Sequence, residues 1–349
     1  MRLKPIKVGI IGAGGIAQGA HMPGYQKVPG VEMVAVADVK KATAKQAAER
    51  FNIPTVLTDW RDLVAMKEID AVSVCTPNAF HKEPTVAALQ AGKHVLVEKP
   101  IAMNAKEGEE MIAAARKAGR ILMVGLNNRF RGDVQAIRRA IDAKALGEIY
   151  YAEAVCTRRR GIPGWGVFIE KAMSGGGALV DIGVHALDLT LHLMGYPKPV
   201  SVSGCAFSKL GARRRKAPAG VGYWNPAKFD VDDLGVGIVR FADGACLFLK
   251  ASWAANIAEG AFNSVLVGTE GGCELSPLQI YREQYGSLVN ITPVSLPQTN
   301  SHAEEIRLFV EAIRQGKPSP VPAEEALVTQ KILDGVYEST VTGSEVKIR

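Results

Sequence analysis

From Ile6 onward the chain alternates short apolar runs with longer polar stretches of helical spacing. The apolar runs are Ile6–Ile11, Val31–Ala37, Ala71–Cys75, His94–Val97 and Ile121–Gly125, each of strand length. Between them lie Ala-, Lys- and Glu-rich segments such as Lys40–Phe51, Glu83–Ala91 and Ala105–Ala118. Strands alternating with helices predict a parallel sheet covered on both faces, with right-handed connections. The pattern changes near Leu126, so a first domain is set at residues 1–125 and a second at 126–349. The second opens with a predicted helix over Val134–Ala145 and a strand over Glu148–Thr157. A Gly/Arg-rich loop and a helix over Gly175–Met194 follow. From Val200 the pattern is mostly β: Val200–Phe207, Gly235–Phe241, Ala245–Trp253, Phe262–Val267 and Leu288–Val294. Several of these alternate apolar and polar positions, as half-buried antiparallel strands do. Lys209–Leu234 reads as a long loop, of a length often functional or mobile. Two helices, His302–Gln315 and Ala323–Tyr337, close the chain.

The composition fits this picture. With 349 residues, 47% hydrophobic and 22% charged, the chain is globular rather than disordered or fibrous, and long enough for two domains. A net charge of +7 suggests an anionic partner without choosing among nucleic acid, membrane and a phosphate-bearing cofactor. Residues 1–125 hold 17 basic and 12 acidic side chains, so most of the surplus lies there, although many of those lysines fall on outer helices. The Arg213-Arg214-Arg215-Lys216 run reads as surface or oligomer contact. No basic recognition helix supports nucleic-acid binding.

Five cysteines without a CxxC pair suggest neither a disulfide framework nor a thiolate metal site. Cys75, Cys205 and Cys246 read as small buried hydrophobes. No apolar run approaches the length of a membrane span. Four glycines among the nine residues from Gly9 to Ala17 argue against a signal peptide, so a cytoplasmic, unprocessed protein is expected.

Gly12-Ala13-Gly14-Gly15-Ile16-Ala17 matches GxGxxA directly after a predicted strand and at the start of a helix. Gly12 permits the tight turn, Gly14 lets a pyrophosphate approach the backbone, and Ala17 allows close helix–strand packing. Gly15 and Ile16 open the helix, whose N-terminus supplies free N–H groups. Asp38 ends the second strand, where it can accept hydrogen bonds from an adenosine ribose and repel a 2′-phosphate. NAD is therefore preferred over NADP, although Lys40 and Lys41 would tolerate a phosphate. The other reading is a simple glycine turn with a solvated Asp38. Two more strand ends carry polar groups where a cofactor would lie: Thr76-Pro77-Asn78, followed by His81, and Glu98-Lys99-Pro100. Lys99 fits the cofactor crevice, or is a solvated loop lysine.

Behind Gly175-Gly176-Gly177, Asp181 and His185 share a helix face at i and i+4, extended by Asp188 and His192. Asp and His are metal-ligand types, but no further His or Cys cluster supplies a third direction, so no metal is expected. The pair also fits two buried polar residues with local partners. The glycines imply close packing against a nicotinamide ring or another backbone.

Taken together, these motifs resemble the Gfo/Idh/MocA oxidoreductase family of inositol and sugar dehydrogenases. The resemblance rests on the GxGxxA turn with Asp38, Thr76-Pro77-Asn78, Glu98-Lys99-Pro100, Asp181-x-x-x-His185 and the closing segment from Glu305 to Pro322. It implies an α/β protein: an N-terminal Rossmann domain and a C-terminal α/β domain with a large, mostly antiparallel open sheet whose exposed face makes a homodimer or homotetramer contact. It also implies hydride transfer between NAD and a secondary alcohol of a sugar, sugar derivative or cyclitol. Lys99, Asp181 and His185 would form the catalytic group, meeting in the cleft between domains, with the Lys99–Pro100 bond able to be cis. In that scheme His185 is the general base. Lys99 stabilises the developing alkoxide, and Asp181 holds the imidazole or a substrate hydroxyl. Arg158–Arg160, with Arg159 foremost, Trp165 and Tyr281 are candidates for the substrate pocket, though three loop arginines equally fit a solvated charge run. The rivals are an NAD-dependent glycoside hydrolase acting by transient oxidation, and a non-catalytic NAD/sugar sensor, against which the intact Lys99, Asp181 and His185 argue.

Overall fold

The computed structural model describes residues 5–213 and 222–348. Residues 214–216 of the basic run lie outside the described residues. The chain divides into two compact units, Met1–Phe130 with Thr299–Leu327, and Arg131–Gln298 with Val328–Arg349. The division near Leu126 thus falls between Phe130 and Arg131. The segment Thr299–Leu327, assigned from sequence to the second domain, packs with the first.

The first unit is a six-stranded sheet of β1 (Ile6–Ile11), β2 (Val31–Ala37), β3 (Thr55–Leu57), β4 (Ala71–Val74), β5 (His94–Glu98) and β6 (Leu122–Gly125). Every pair is parallel, in the order β3-β2-β1-β4-β5-β6. The order reverses between β1 and β4, the place where ligands settle past the strands' carboxyl ends in such sheets. Helices α1 (Met22–Gln26), α2 (Lys41–Phe51), α3 (Trp60–Ala65), α4 (Lys82–Gln90) and α5 (Ala105–Ala118) connect the strands. β4 and β6 are buried at every position, so they read as unbroken apolar runs rather than alternating ones. α2 buries Ala44, Ala47, Ala48 and Phe51, one face at helical spacing, and ends at Asn52 in the left-handed region. α5 starts where the Asn104 side chain accepts from the Glu107 N–H and stops at left-handed Gly119.

The second unit contains α6 (Gly132–Asp142), β7 (Ile149–Thr157), α7 (Lys171–Ser174), α8 (Val184–Met194), β8 (Pro199–Phe207), β9 (Leu234–Phe241), β10 (Cys246–Ser252), β11 (Ala261–Gly268), β12 (Gly271–Leu275), β13 (Leu278–Gln284) and β14 (Ser287–Ile291). α9 (Ser301–Gln315), which lies in the first unit, and α10 (Ala323–Thr342) follow, and β15 (Val346–Lys347) closes the chain. Its nine-stranded sheet runs β14-β13-β12-β11-β7-β10-β9-β8-β15. All neighbours are antiparallel except β7 and β10. The fold is thus a Rossmann sheet plus a second unit with a mostly antiparallel sheet.

One sequence expectation needs correction and two gain detail. Cys75 is buried, but Cys246 is only half-buried and Cys205 is exposed, because both lie on positions of β10 and β8 that the sheet leaves partly open. The helical stretch Lys171–Met194 is, by length and composition, apolar enough to cross a membrane; 78% of its apolar window is buried inside the protein, so core packing accounts for its apolarity. Finally, the Lys209–Leu234 loop has a packed end: Trp224, Phe229 and Val231 are buried with Ile162, Ile182 and Trp253 in a core of their own.

Candidate active site

The turn after β1 is built for close backbone approach. Gly12 has φ +87°, and a Cβ there would lie 2.7 Å from the Cys75 carbonyl oxygen at the end of β4. Only glycine meets both conditions. Gly14 and Gly15 have nothing within 4 Å of where a Cβ would project, so their backbone is open, whereas Ala13 and Ala17 are fully buried. Ile16 stands partly exposed, and the following turn, Ala17–His21, is π-helical, a widening often found at functional sites.

Asp38 is tied to this turn. Its Oδ2 accepts the Ala13 N–H at 2.9 Å and its Oδ1 the Lys40 N–H at 2.8 Å. The carboxylate therefore holds the glycine turn against the end of β2, and two bonds leave further lone pairs for a ligand hydroxyl. An open glycine backbone, a helix start and a fixed carboxylate at the switch point fit a dinucleotide: the residues from Gly12 to Ile16 would hold its pyrophosphate and Asp38 its ribose.

The two neighbouring strand ends are locked from within. Thr76 Oγ1 donates to the Phe80 carbonyl, shaping the Thr76-Pro77-Asn78 turn. His81 is fully buried, with Nδ1 2.8 Å from the Pro100 carbonyl oxygen and Nε2 3.0 Å from that of Thr76. Burial holds its pKa below the ordinary value, against the opposing pull of those two carbonyls. Glu98 is also buried. Its Oε1 accepts from His21 Nε2 at 2.8 Å and its Oε2 from the Lys99 N–H at 3.1 Å. Burial alone would raise the Glu98 pKa, but the bond to His21 and the charges of His21 and Lys99 outweigh it and bring it to about 2. Burial likewise works against charge on His21, yet Cys75 and Glu98 outweigh it and hold the imidazole well above its usual range. The two form a buried ion pair, extended through Ser73 Oγ to Tyr25. Lys99 itself is half-buried, and the Lys99–Pro100 bond is cis.

In the second unit Asp181 and His185 lie on one helical stretch: a π-helical turn, Leu179–Gly183, leads straight into α8. Between residues 176 and 191 every position is buried except these two. The glycines before them admit other parts of the protein: a Cβ on Gly177 would lie 1.9 Å from the Asp232 carbonyl oxygen, and one on Gly176 2.1 Å from the Tyr337 hydroxyl. Asp232 then caps the stretch, with Oδ1 accepting the Gly177 N–H at 2.7 Å and Oδ2 the Leu179 N–H at 2.9 Å. Trp253, fully buried, donates its indole N–H to Asp181 Oδ2 at 3.0 Å and so orients that carboxylate. Asp188 is turned inward, where Tyr196 donates to it. Among the described residues no group of three or more His, Cys, Asp or Glu is arranged to hold a metal.

The remaining candidates are more exposed. Arg159 donates to the Ala258 carbonyl, and Arg160 to the carbonyls of Arg159 and Ala255 and to Asn256 Oδ1. Trp165 is 69% exposed. Tyr281 lies in β13 with its hydroxyl on Glu274.

The sequence model described as "Oxidoreductase family, NAD-binding Rossmann fold" matches residues 6–126, and that of the GFO/IDH/MocA C-terminal domain matches residues 134–274. The chain is 37% identical to a D-glucoside 3-dehydrogenase of Escherichia coli K12 over 100% of its own length and 99% of the relative's. The chain belongs to the Gfo/Idh/MocA oxidoreductase family. Another relative is a scyllo-inositol 2-dehydrogenase (NADP(+)) of Bacillus subtilis, 28% identical over 97% of this chain and 95% of that protein. A solved levoglucosan dehydrogenase in complex with NADH shares the fold, with a TM-score of 0.86 at 24% identity, covering 99% of this chain and 100% of that one. This member of the Gfo/Idh/MocA family is an NAD(P)-dependent oxidoreductase, and its Rossmann unit is of the NAD-binding kind.

Sequence reasoning missed two residues that hold this family member's motifs in place, His21 and Asp232. His21 is 77 positions from Glu98, and Asp232 is 55 from Gly177. The only local signals were polar residues among apolar neighbours: His21 beside Ala20 and Met22, and Asp232-Asp233 just before a strand.

Proposed function

We propose that the protein oxidises a secondary alcohol of a sugar, sugar derivative or cyclitol, or reduces the corresponding ketone, with D-glucosides the first class to test. Lys99, Asp181 and His185 are the catalytic group. The observation that carries this reading is the partial exposure of Asp181 and His185 alone on an otherwise buried helical stretch. Burying fourteen neighbours while leaving an Asp and a His partly exposed suits reactivity better than packing. The 37% identity to a D-glucoside 3-dehydrogenase, which runs the length of both chains, supports the substrate class.

Bound NAD supplies the hydride acceptor. His185 takes the hydroxyl proton, a task suited to a group whose ordinary pKa lies near neutrality. Lys99 places a positive charge against the developing alkoxide. Asp181, fixed by the Trp253 indole, orients the imidazole or a neighbouring substrate hydroxyl. Asp38 favours NAD over NADP by repelling a 2′-phosphate, and Arg159 and Trp165 contact the substrate. The partly open face of the nine-stranded sheet, with Ile238 45% exposed, joins chains into a dimer or tetramer.

The test is a panel of methyl glucosides, free sugars, inositols and nucleotide sugars, scored by NADH or NADPH formation separately. Turnover of a glucoside with NAD is expected. Lys99→Ala and His185→Ala should each lower kcat by about 100-fold or more while NADH affinity stays within about threefold. Near-parental kcat in both variants overturns the assignment. Release of an aglycone without net NADH formation would instead identify redox-assisted hydrolysis.

A further inference from the structure

Two fully buried histidines grip the segment that carries Lys99, and neither has a part in the chemistry described above. His21 Nε2 holds the Glu98 carboxylate, whose second oxygen accepts the N–H of Lys99 itself. His81 Nδ1 holds the carbonyl of Pro100, the residue that follows. The backbone of Lys99 is therefore fastened on both sides, through its own N–H and through the next carbonyl. Each histidine also reaches the neighbouring strand β4 or its end. His21 Nδ1 bonds Ser73 Oγ, which also bonds Tyr25, and His81, with its one N–H on Nδ1 donated to Pro100, sets Nε2 3.0 Å from the Thr76 carbonyl oxygen.

The burial is decisive for the role. His21 is 1% exposed and His81 0%, so neither ring is a surface contact for cofactor or substrate. Buried polar groups of this kind are costly unless their bonds are made, and a core could use apolar side chains instead. Here the bonds made converge on three consecutive residues, Glu98-Lys99-Pro100. Lysine has a long flexible side chain, so a fixed backbone narrows where its ammonium can reach.

We propose that His21 and His81 are positioning residues for Lys99, holding its backbone from opposite sides so that the ammonium is delivered to one place. The inference rests on the reading of Lys99 as a catalytic residue.

A double-mutant cycle tests it in the full-length protein, with NAD saturating and the fastest alcohol of the panel, methyl β-D-glucoside being the expected one. His21→Phe and His81→Phe should each lower kcat by about 10- to 100-fold, the scale of a displacement near 1 Å. His21→Gln and His81→Gln, which keep a donor, should recover much of that loss. In a Lys99→Ala background the same substitutions should change kcat by less than about twofold, because what they position is gone. An equal loss in both backgrounds means a merely structural role and overturns the proposal. So does full activity of folded variants in the Lys99 background. Should the phenylalanine variants fail to fold, Glu98→Gln, which removes the ion pair with little change of shape, takes their place in the cycle with the same two outcomes. If Lys99→Ala alone leaves kcat unchanged, it is the catalytic reading that fails, and the two failures are distinguishable.

Discussion

Gly12 shows how much a single position can be asked to do. Its φ of +87° and the 2.7 Å approach to Cys75 are separate constraints, and both follow from turning the chain sharply beside a neighbouring strand. Such a residue is readable in sequence because its signature is local. The same holds for Asp38 at the end of β2, for Lys99 at the end of β5 and for Asp181 and His185 one turn apart. His94 is different, since nothing nearby in sequence marks it. Its Nδ1 accepts the Ile121 N–H at 3.1 Å, a bond that only the unprotonated nitrogen can make. Burial, helped by the charge of Arg120, lowers its pKa from 6.5 to about 4. Between those values the unfolded chain binds more protons than the folded one. The contribution of His94 to stability is therefore complete above 6.5 and is lost as the pH falls toward about 4. After solvent screening this amounts to something on the order of 1 kcal/mol. Thermal unfolding at about pH 7 and about pH 4.5 should show a smaller acid-induced drop in Tm for His94→Gln than for the parent protein.

At the scale of elements, those with a long, clean period were legible. β1, β2 and α5 begin and end where the pattern of apolar residues places them. β3 was missed because three residues are too few to show a period. β12 and β13 were missed because Gly271, Gly272, Gln279 and Arg282 interrupt the alternation, while their register is imposed by the neighbouring strands. At the start of the stretch bearing Asp181 the second of two expectations held, close packing against another backbone rather than a nicotinamide ring. The glycines suggested that something packs closely, and what packs there is the segment leading into β9. Asp232 satisfies two otherwise orphaned N–H groups and also accepts from the Tyr337 hydroxyl at 2.6 Å. Asp232→Ala leaves all three donors buried without an acceptor. It should cost about 2–5 kcal/mol, read as a lower midpoint in urea with little change in slope.

At the scale of the whole chain, the sheet of the second unit carries a row of side chains on the face away from α8. Ile238 pairs with Phe248, Phe248 with Glu153, and Glu153 with Val265 across four strands, and none of the four is fully buried. If this face joins subunits, sizing chromatography of the parent should give two or four chains. Ile238→Glu, which puts a charge into a non-polar contact, should then give a smaller species. That the sheet would be open was implied by resemblance rather than by its own pattern, because alternation tells which residues share a face and not what covers it. The division of the chain was legible only in part. The switch in pattern near Leu126 is strong, but nothing in the periodicity of α9 says with which sheet it packs.

That last point has a consequence for how the protein is made. Ile306, Phe309 and Val310 of α9 are buried in the core of the first unit, and a Cβ on Gly24 would fall within 2.8 Å of Ile306. During synthesis the ribosome releases the strands of the cofactor-binding sheet early, while their last helix is still untranslated. The first unit must wait, with an apolar surface around α1 uncovered, for roughly the time needed to add the intervening 168 residues from Arg131 to Gln298, on the order of ten seconds or more. The nascent protein is thus most vulnerable to aggregation in the middle of its own translation, and the first unit completes its core only once the segment Thr299–Leu327 has emerged.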